Sequence, residues 1–337
     1  MLNYDKYMAR CLELARLGEY YVAPNPMVGA VLVADEDRIW SEGWHRQYGG
    51  PHAEVNCLMG AESRRAEVVS GSPATLFVSL EPCSHFGKTP PCADLIISKK
   101  DELNIRRVVV GSLDPNPKVA GGGIKKLRDA GIEVVTGVLE KECRHLNRRF
   151  FCLHEKHRPY VILKWAQSAD GYIGSPDQRV VISNPLTKQV VHKMRAENMS
   201  IMVGTNTALI DNPKLLNTHW AGRNPIRILL DRHRRVPLNY NIFSHDAETI
   251  VYSDNTEWQY ILLDLARRNI HSVLVEGGAT LLRNILSTGI YDEVHLEINP
   301  ELNLRGGIPA PVAECGFGSL FEEQTIENNI LYTYVHV

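Results

Sequence analysis

The sequence predicts two α/β domains joined by a polar connector. The chain has 337 residues, of which 44% are hydrophobic, and this length exceeds the size at which a single hydrophobic core usually stops growing. Apolar runs typical of buried strands alternate with amphipathic helical patterns in both halves, which is the arrangement of layered α/β domains. We expect the first domain at residues 1–143, the connector at residues 144–158 and the second domain at residues 159–337.

Hydrophobic periodicity gives the elements of the first domain. A helix is expected at residues 3–17, because apolar residues recur every three or four positions before Gly18. Asp35, Glu36 and Asp37 separate two extended apolar segments and predict a hairpin. The other elements predicted for this domain are strands at residues 27–34, 38–45, 75–80, 107–111 and 132–136, and helices from residue 52 and at residues 93–100 and 124–130.

The second half repeats the alternation. Strands are expected at residues 159–166, 200–204, 226–231, 249–252, 272–275, 293–299 and 330–337, and helices at residues 186–197, 257–269 and 279–287. The segment of residues 144–158 is polar and basic. We interpret it as a linker. Its charges are those of a solvated helix and connector rather than of a patch that binds phosphate or nucleic acid, because they cover no aromatic groove.

Composition and charge favour an enzyme that acts on small molecules. The chain carries 37 basic and 39 acidic residues for a net charge of −2, and no basic cluster predicts binding to nucleic acid or a membrane surface. No apolar run is long enough to span a bilayer, and no signal-peptide pattern precedes the first helix, so we expect a cytoplasmic protein. The seven cysteines do not fit a disulfide framework, and two are better explained as metal ligands.

A His-x-Glu pair and two cysteines form the most specific pattern in the chain. His52 and Glu54 follow Pro51 at a predicted helix start. Cys83 and Cys92 lie at the end of a predicted strand and at the start of a helix. One imidazole and two thiolates match the tetrahedral preference of Zn²⁺ and leave its fourth position open for water. In deaminases with this signature the glutamate is the general acid and base, so the pattern predicts a zinc hydrolytic deaminase.

The spacing of the cysteines leaves two alternatives open. The general signature closes with Cys-x-x-Cys, whereas eight residues separate Cys83 from Cys92. A nucleoside or transfer-RNA base deaminase with an accessory domain shares the ligand types but not this gap. A structural zinc module needs a fourth protein ligand, for which His85 is the candidate.

Glycines at the end of one predicted strand suggest a second ligand site. Glu276, Gly277 and Gly278 join the strand at residues 272–275 to a helix, and such a turn presents backbone N–H groups to a phosphate. The pattern lacks the G-x-G-x-x-G fingerprint, so a purely structural turn stays open as the alternative. Other polar candidates at strand or helix ends are Lys164, Asp170, Arg195, Thr207 and Asp211.

Together these motifs resemble the bifunctional deaminase/reductase family of riboflavin biosynthesis along nearly the whole chain. In the first half the resemblance rests on residues 24–29, 51–54, 81–85, 89–92 and 114–121. In the second half it rests on Lys164 and on residues 159–160, 168–171, 194–196, 211–213 and 275–278. The long cysteine gap resembles this family's own form of the zinc motif. The resemblance implies a cytidine-deaminase-like three-layer α/β/α domain followed by a dihydrofolate-reductase-like α/β domain.

For the first domain, the resemblance implies hydrolysis of the exocyclic amine of 2,5-diamino-6-ribosylamino-4(3H)-pyrimidinone 5′-phosphate. His52, Cys83 and Cys92 would bind Zn²⁺, and Glu54 would carry protons. The residues that match substrate-binding positions of the family are Asn25, His45, Lys88, Asp114 and Asn116. Turn formation or solvent exposure alone would also explain these polar residues.

For the second domain, the resemblance implies reduction of the ribosyl group to ribityl with NADPH as hydride donor. Matching substrate positions are Lys164, Arg195, Leu215 and Glu276. Matching cofactor positions are Gln167, Val181, Ser183, Thr207, Asp211, Gly277 and Gly278. Candidates for binding the 2′-phosphate are Arg179, Arg232, Arg234 and Arg235. We expect a homo-oligomer.

Two positions depart from the family pattern. Val181 stands where the family often has Trp, and Asn217, Thr218 and His219 stand where an Arg often follows. An active deaminase joined to a reductase that has lost its activity is therefore a further alternative.

Overall fold

The structure of the chain, a computed structural model, describes residues 2–34, 37–64, 71–85, 90–116, 120–175, 180–313 and 316–336. Two compact units divide the chain, Met1–Lys156 and His157–Val337. Lys88 and Arg179 lie outside the described residues. None of the helices in the described ranges combines the length and apolarity that a membrane span requires.

The first unit is built on a five-stranded sheet with the order β2-β1-β3-β4-β5. Its strands are β1 (Gly29–Ala34), β2 (Arg38–Trp44), β3 (Ala74–Leu80), β4 (Ile105–Ser112) and β5 (Glu133–Thr136). Its helices are α1 (Tyr4–Arg16), α2 (Ala53–Ser63), α3 (Cys92–Lys99), α4 (Gly122–Asp129), α5 (Glu140–Leu146) and α6 (Arg148–Lys156). β1 and β2 form the predicted antiparallel hairpin, whereas β3, β4 and β5 are parallel. The carboxyl ends of β3 and β4 therefore meet at one edge of the sheet.

Helices cover both faces of this sheet. Alternate residues of one strand supply two cores: Leu76 and Val78 of β3 pack with α2, α3 and α4, whereas Phe77 packs with α1 and α5. A strand buried on both faces has a continuous apolar sequence rather than an alternating one. The predicted three-layer α/β/α arrangement is confirmed.

The segment interpreted as a connector is mostly helical, and its residues up to Lys156 belong to the first unit. Residues 144–158 contain the end of α5 and all of α6, and Phe151 and Leu153 are buried. Asn147 between these helices donates to the carbonyl of Met27 and accepts from its N–H, both at 2.8 Å. The apolar side of these helices is packed, and the boundary between the two compact units falls after Lys156. The linker bounds of residues 144–158 stay a prediction.

The second unit contains an eight-stranded sheet with the order β10-β9-β8-β11-β6-β12-β15-β14. Its larger strands are β6 (Tyr160–Ser168), β8 (Ser200–Gly204), β9 (Ile226–Leu230), β10 (Thr249–Tyr252), β11 (Ser272–Val275), β12 (Glu293–Asn299), β14 (Ser319–Ile326) and β15 (Asn329–Val335). Its helices are α7 (Pro185–Glu197), α8 (Thr205–Asp211), α9 (Trp258–Arg267) and α10 (Ala279–Thr288). The short strands β7 (Tyr172–Gly174) and β13 (Ile308–Pro309) pair separately.

The strand directions in this sheet indicate which edge binds ligands. Strands β10, β9, β8, β11, β6 and β12 are parallel to their neighbours, whereas β15 and β14 are antiparallel. In open parallel sheets, ligands bind outside the carboxyl ends of the strands. The glycine turn after β11, the end of β8 and the turn after β9 lie along this edge, and the prediction of a second α/β domain is confirmed.

Candidate active sites

The three predicted metal ligands converge in the first unit. His52 is the N-cap of α2, Cys83 follows β3, and Cys92 is the first residue of α3. The His52 Nδ1 atom lies 3.8 Å from the Cys83 Sγ and 3.3 Å from the Cys92 Sγ. Tetrahedral Zn²⁺ with Zn–S bonds of ~2.3 Å and Zn–N bonds of ~2.0 Å places its ligand atoms about 3.5 to 3.8 Å apart. The donor set and its spacing therefore fit zinc.

A hydrogen-bond network prepares the sulfur ligands. The backbone N–H of Cys92 donates to the Cys83 Sγ at 3.2 Å. The hydrogen bond between the two sulfurs lowers the pKa of Cys83 and raises that of Cys92. One thiolate is therefore favoured, and because the thiolate is the metal-binding form, the remaining thiol proton is released when a metal binds both sulfurs.

His85 is not one of the clustered ligands. Among the described residues, the metal-ligating group at this place consists of His52, Cys83 and Cys92. His85 is exposed and lines the adjoining cavity. Three protein ligands leave a coordination position open, which is the pattern of catalytic rather than structural zinc sites.

Glu54 lies in the first turn of α2, two residues after His52. Its side chain is only 3% exposed, and burial raises the pKa of Glu54 to about 7, against the opposing effect of His52. A carboxyl group with a pKa near neutrality can both accept and return a proton at physiological pH. The helix start brings His52 and Glu54 together although residues two apart do not share a helix face.

A cavity of about 290 Å³ opens beside the metal ligands. Four of the predicted substrate residues line it, namely Asn25, His45, Asp114 and Asn116. Their convergence was not derivable from their positions in the sequence. Tyr48 and Phe150 also line the cavity and were not singled out by the sequence, since no motif distinguishes an aromatic residue in a loop or helix as a cavity wall. Glu81, which the sequence analysis placed in the motif of residues 81–85 without a role, lines it as well.

Asn25 and His45 form a pair in this cavity. The His45 Nδ1 atom lies 2.9 Å from the carbonyl of Pro51, and its Nε2 atom lies 3.0 Å from the Asn25 Nδ2. Burial lowers the pKa of His45, which favours the neutral ring with Nδ1–H donating to Pro51 and Nε2 accepting from Asn25. The pair therefore holds the Asn25 amide in one orientation.

Asp114 lies at the end of β4 beside this cavity. It is 8% exposed, and burial raises the pKa of Asp114 to about 6. Its Oδ1 accepts from the backbone N–H of Asn116 at 2.8 Å. This bond shapes the loop that carries both residues.

In the second unit, Arg195 and Glu276 form a bidentate ion pair. Arg195 Nε and Nη2 donate to the two Glu276 oxygens at 2.8 and 2.6 Å, and Nη1 donates to the carbonyl of Leu216 at 3.1 Å. Although burial alone would raise it, the Arg195 guanidinium holds the pKa of Glu276 below its ordinary value. The predicted substrate residues of α7 and β11 are thus brought into contact.

Lys164 lies beside a second buried carboxylate that the sequence did not single out. Its Nζ is 3.6 Å from a Glu297 oxygen, and Glu297 accepts from Ser183 Oγ at 2.7 Å and Asn329 Nδ2 at 2.6 Å. Lys164 lowers the pKa of both Glu276 and Glu297 against the opposing effect of burial. Lys164 therefore lies in the field of two carboxylates.

The glycine turn after β11 has room for a ligand. Gly277 and Gly278 have φ angles of 123° and 53°, a region that favours glycine. A Cβ on Gly277 would meet no atom within 4 Å, and one on Gly278 would lie 3.1 Å from Thr207 Oγ1. The turn leads into α10 with no side-chain cap at Gly278. Open space at a helix start with unsatisfied N–H groups fits the phosphates of a dinucleotide.

The other predicted reductase residues are less closely grouped. Leu215 is 3% exposed and packs in a core cluster, so its side chain does not face a ligand. Gln167 accepts from Trp165 Nε1 at 3.0 Å. Val181 is 61% exposed, and Asp211 is the exposed last residue of α8.

Comparison with known proteins identifies the two units. The model of the cytidine and deoxycytidylate deaminase zinc-binding region matches residues 1–112, and the model of the RibD C-terminal domain matches residues 159–315. The chain is similar to the riboflavin biosynthesis protein RibD of Synechocystis sp., with 37% identity over 94% of this chain and 90% of the relative. Fold and site thus define a zinc-dependent deaminase domain followed by a reductase domain.

Solved structures resemble the chain over its full length. A diaminohydroxyphosphoribosylaminopyrimidine deaminase/5-amino-6-(5-phosphoribosylamino)uracil reductase from Thermotoga maritima is 35% identical, with a TM-score of 0.88 over 99% of both chains. Acinetobacter baumannii RibD is 29% identical, with a TM-score of 0.86 over 99% of both chains. The chain belongs to the RibD family of bifunctional deaminase/reductases in riboflavin biosynthesis, with zinc and NADPH as cofactors. The predicted family is confirmed, and the base deaminase with an accessory domain is not supported.

Proposed function

We propose that this enzyme carries out the two reactions named for the Thermotoga maritima relative. The first unit deaminates diaminohydroxyphosphoribosylaminopyrimidine, and the second reduces 5-amino-6-(5-phosphoribosylamino)uracil. The convergence of His52, Cys83 and Cys92 beside a cavity that Glu54 also lines is the observation that carries the proposal.

In the deamination, Glu54 moves the protons. Zinc held by His52, Cys83 and Cys92 would supply Lewis-acid activation of water for hydrolysis. The Glu54 carboxylate accepts one proton from the attacking water and delivers it to the pyrimidine ring nitrogen. It then carries the second proton of that oxygen to the amino group, which leaves as ammonia as the C–N bond breaks and the carbonyl forms. Its burial at 3% exposure keeps bulk water from competing for that proton.

Substrate contacts complete the first site. Asn25, oriented by His45, and the loop of Asp114 and Asn116 hydrogen-bond to the pyrimidine and its ribose phosphate. Lys88 keeps the proposed phosphate-binding role that the family motif implies, although it lies outside the described residues. Polar groups of fixed orientation in such a cavity select the ring and hold its amine-bearing carbon near the metal.

In the reduction, the second unit aligns a sugar with the cofactor. NADPH supplies the hydride. The turn of Gly277 and Gly278 holds its phosphates, with Thr207 and Asp211 along the cofactor and Gln167, Val181 and Ser183 at its other side. Substrate contacts come from Lys164, Arg195 and Glu276 and from the backbone of Leu215. The ion pair of Arg195 and Glu276 fixes both side chains before substrate binds.

One experiment tests both activities. Zinc-loaded enzyme receives the diaminopyrimidine substrate and NADPH, and ammonia release and NADPH absorbance are followed in the same sample. Ammonia release followed by NADPH consumption supports both reactions in this order. Ammonia release alone would indicate a reductase that has lost activity, the alternative raised by Val181 and Thr218. If neither signal appeared with zinc bound, the substrate assignment would be wrong.

The remaining proposals concern location and assembly. A cytoplasmic enzyme agrees with the six described cysteines, none of which forms a disulfide within the described residues. A homo-oligomer agrees with the edge strand β14, where Leu320 and Phe321 are 53% and 61% exposed. Sedimentation analysis tests the oligomer. The net charge of −2 agrees with small-molecule substrates and no nucleic-acid partner.

A further inference from the structure

Glu81 is a buried carboxylate that the deamination chemistry does not use. It directly follows β3, precedes Pro82 and Cys83, and is 3% exposed. Its Oε1 accepts from the backbone N–H of Gly123 at 3.0 Å and of Ile124 at 3.4 Å. Its Oε2 accepts from Gly121 at 3.0 Å and from Asp114 at 3.3 Å. Although Glu81 borders the cavity, backbone donors already occupy both of its oxygens.

These four donors come from two segments that need a fixed position. Asp114 begins the loop at the end of β4, and Gly121 is the N-cap of α4. Because β3 and β4 are adjacent and parallel, Glu81 and Asp114 emerge side by side at the carboxyl edge of the sheet. One carboxylate therefore ties the loop and the helix start to the strand end that carries Cys83.

The glycines at the start of α4 make this contact sterically possible. A Cβ on Gly123 would lie 2.0 Å from the carbonyl oxygen of Pro82, and one on Gly122 would lie 2.6 Å from Ser84 Oγ. Real Cβ atoms do not approach so closely. The glycines therefore let the backbone at the start of α4 lie close to the segment that carries Cys83. Their role here is to make this close contact possible, in addition to forming the turn.

The chemistry of the contact requires a carboxylate. Three N–H donors at the start of α4 and one from the loop of Asp114 converge on one group, and a charged acceptor complements both the donors and the helix dipole. A glutamine in this place would turn its NH₂ toward one pair of donors. With the NH₂ in the place of Oε2, the loop at Asp114 and the helix N-cap at Gly121 both lose their acceptor. With the NH₂ in the place of Oε1, the helix start loses its bonds from Gly123 and Ile124. Either orientation loosens the tie between these segments and the strand end.

We propose that Glu81 is a positioning residue of the deaminase, which aligns the loop of Asp114 and Asn116 with the metal ligands. This inference rests on the proposed function, because it assigns Asp114 and Asn116 to substrate binding. Glu81 itself does not touch substrate. Its loss lets the loop move relative to Cys83 while leaving the zinc ligands and Glu54 in place.

The test compares Glu81→Gln with Glu133→Gln, a matched change at the exposed salt bridge with Arg107 in the same unit. For Glu81→Gln we expect zinc content and NADPH-dependent reduction to stay unchanged. The deaminase KM should rise on the order of 10- to 100-fold, since misplaced binding groups lose that much, with kcat changed less than about threefold. Glu133→Gln should match the wild type in every measurement.

A purely structural role predicts a different kinetic pattern. Partial unfolding lowers the active fraction and hence kcat at unchanged KM, and that result would overturn the proposal. Loss of zinc along with activity, or an unchanged KM, would also overturn it. If Glu81→Gln yields no folded protein, Glu81→Asp decides, because it keeps the charge on a shorter side chain and should show a smaller rise in KM.

A double-mutant cycle shows which loop transmits the effect. If Glu81 acts through Asp114, the KM effects of Glu81→Gln and Asp114→Asn are not additive, and additive effects contradict the proposal. A wild-type enzyme that releases no ammonia from the diaminopyrimidine contradicts the proposed function instead, so the two failures are distinguishable.

Discussion

The deaminase residues lie close together in sequence, whereas the reductase residues are spread along their unit. Between His52 and Cys92, two helix starts and one strand end supply the metal ligands and the proton carrier. The reductase residues run from Lys164 on β6 to Gly278 before α10. A metal requires a fixed set of ligand types at short distances, and this requirement produces a recognisable sequence motif. A cofactor that is bound mainly by backbone groups and strand ends produces a weaker sequence motif.

The two sites also differ in how their charged side chains are neutralised. In the first site, a bound metal cation stabilises the thiolate forms of the cysteines, since the thiolate is the metal-binding form. The second site has an internal ion pair between Arg195 and Glu276 that is complete without a ligand. We therefore expect removal of the metal to affect only the first site, and single charge removals in the second to affect folding as well as activity.

Removal of zinc should give the largest and most selective effect. Chelation, or Cys92→Ser, takes away the activation of water and should lower deamination by more than about a thousandfold. NADPH-dependent reduction of the deaminated substrate should continue at the wild-type rate. Parallel assays of the two reactions with zinc analysis make the comparison. Equal loss of both activities would contradict the independence of the sites.

Glu54→Gln should separate proton transfer from metal binding. The amide keeps the size of the side chain but cannot accept the proton, so kcat for deamination should fall about 10²- to 10⁴-fold. Zinc content should stay near one per chain. Loss of zinc in this variant would show that Glu54 is a ligand, and an unchanged kcat would remove it from the mechanism.

The fold was predictable where burial leaves a pattern. The strands β3 and β11 are continuous apolar runs because both of their faces are covered. The helix α8 was not predicted, because it has seven residues and Ala208 is its only buried side chain among the described ones. β14 was also not predicted as a strand, because its residues are mostly exposed and show no alternation.

Arg195→Ala should destabilise the second unit more than an exposed charge change does. Glu276 would stay mostly buried, with Lys164 as its remaining positive neighbour, and breaking a buried ion pair by removing one partner costs about 3 to 5 kcal/mol in the free energy of unfolding. The matched control is Arg268→Ala, which removes a half-exposed guanidinium from the partly exposed Asp264. Asp264 keeps its hydrogen bond from Tyr252, so this change should cost no more than about 1 kcal/mol. Calorimetry of both variants tests this difference, and similar melting temperatures would argue against it.

Asp114→Asn should stabilise the first unit in a pH-dependent way. The pKa of this buried carboxyl in the folded protein, about 6, lies above its ordinary value of 3.8. The folded state therefore binds the proton more tightly, and stability falls as pH rises through that window. The variant should gain up to about 3 kcal/mol above pH ~6, with no gain below pH ~4, as measured by denaturant unfolding across pH.

In the control variant Glu133→Gln, the expected change in stability has the opposite sign. The hydrogen bond with Arg107 lowers the pKa of the exposed Glu133, so Glu133→Gln should slightly reduce stability at neutral pH and have no effect in acid. If Asp114→Asn showed the same gain at every pH, the cause would be repacking rather than desolvation of the carboxylate.

The candidate sites were predictable where side chains bind a metal and less so where backbone contacts dominate. His52, Cys83 and Cys92 follow from residue type and spacing. Glu81 could not be assigned, because its backbone partners are 33 to 43 residues away in sequence. Leu215 matches a family position but packs in the core, since a family motif gives the residue and not the group that makes the contact.

The selection of NADPH over NADH is the prediction with the smallest expected effect, and it tests one part of the second site. The turn after β9 is fixed by Asp231, whose carboxylate accepts from Val236 N and Thr205 Oγ1 at 2.8 and 3.0 Å. It displays Arg232 and Arg235, both exposed. β9 lies two strands from β11 in the sheet. The turn after β9 is therefore ~10 Å from the glycine turn after β11. A dinucleotide held there can reach this turn with its adenosine end.

We therefore expect the double variant Arg232→Ala/Arg235→Ala to weaken NADPH binding about tenfold, as loss of charged hydrogen bonds to a phosphate does. NADH lacks the 2′-phosphate, so its affinity should not change. The control Arg283→Ala removes an exposed charge from α10 and should leave both affinities intact. Calorimetric titration with each cofactor measures the difference. Equal weakening of NADPH and NADH would mean that these arginines act on the pyrophosphate or on the general field, and the selectivity would then have to lie elsewhere along the sheet edge.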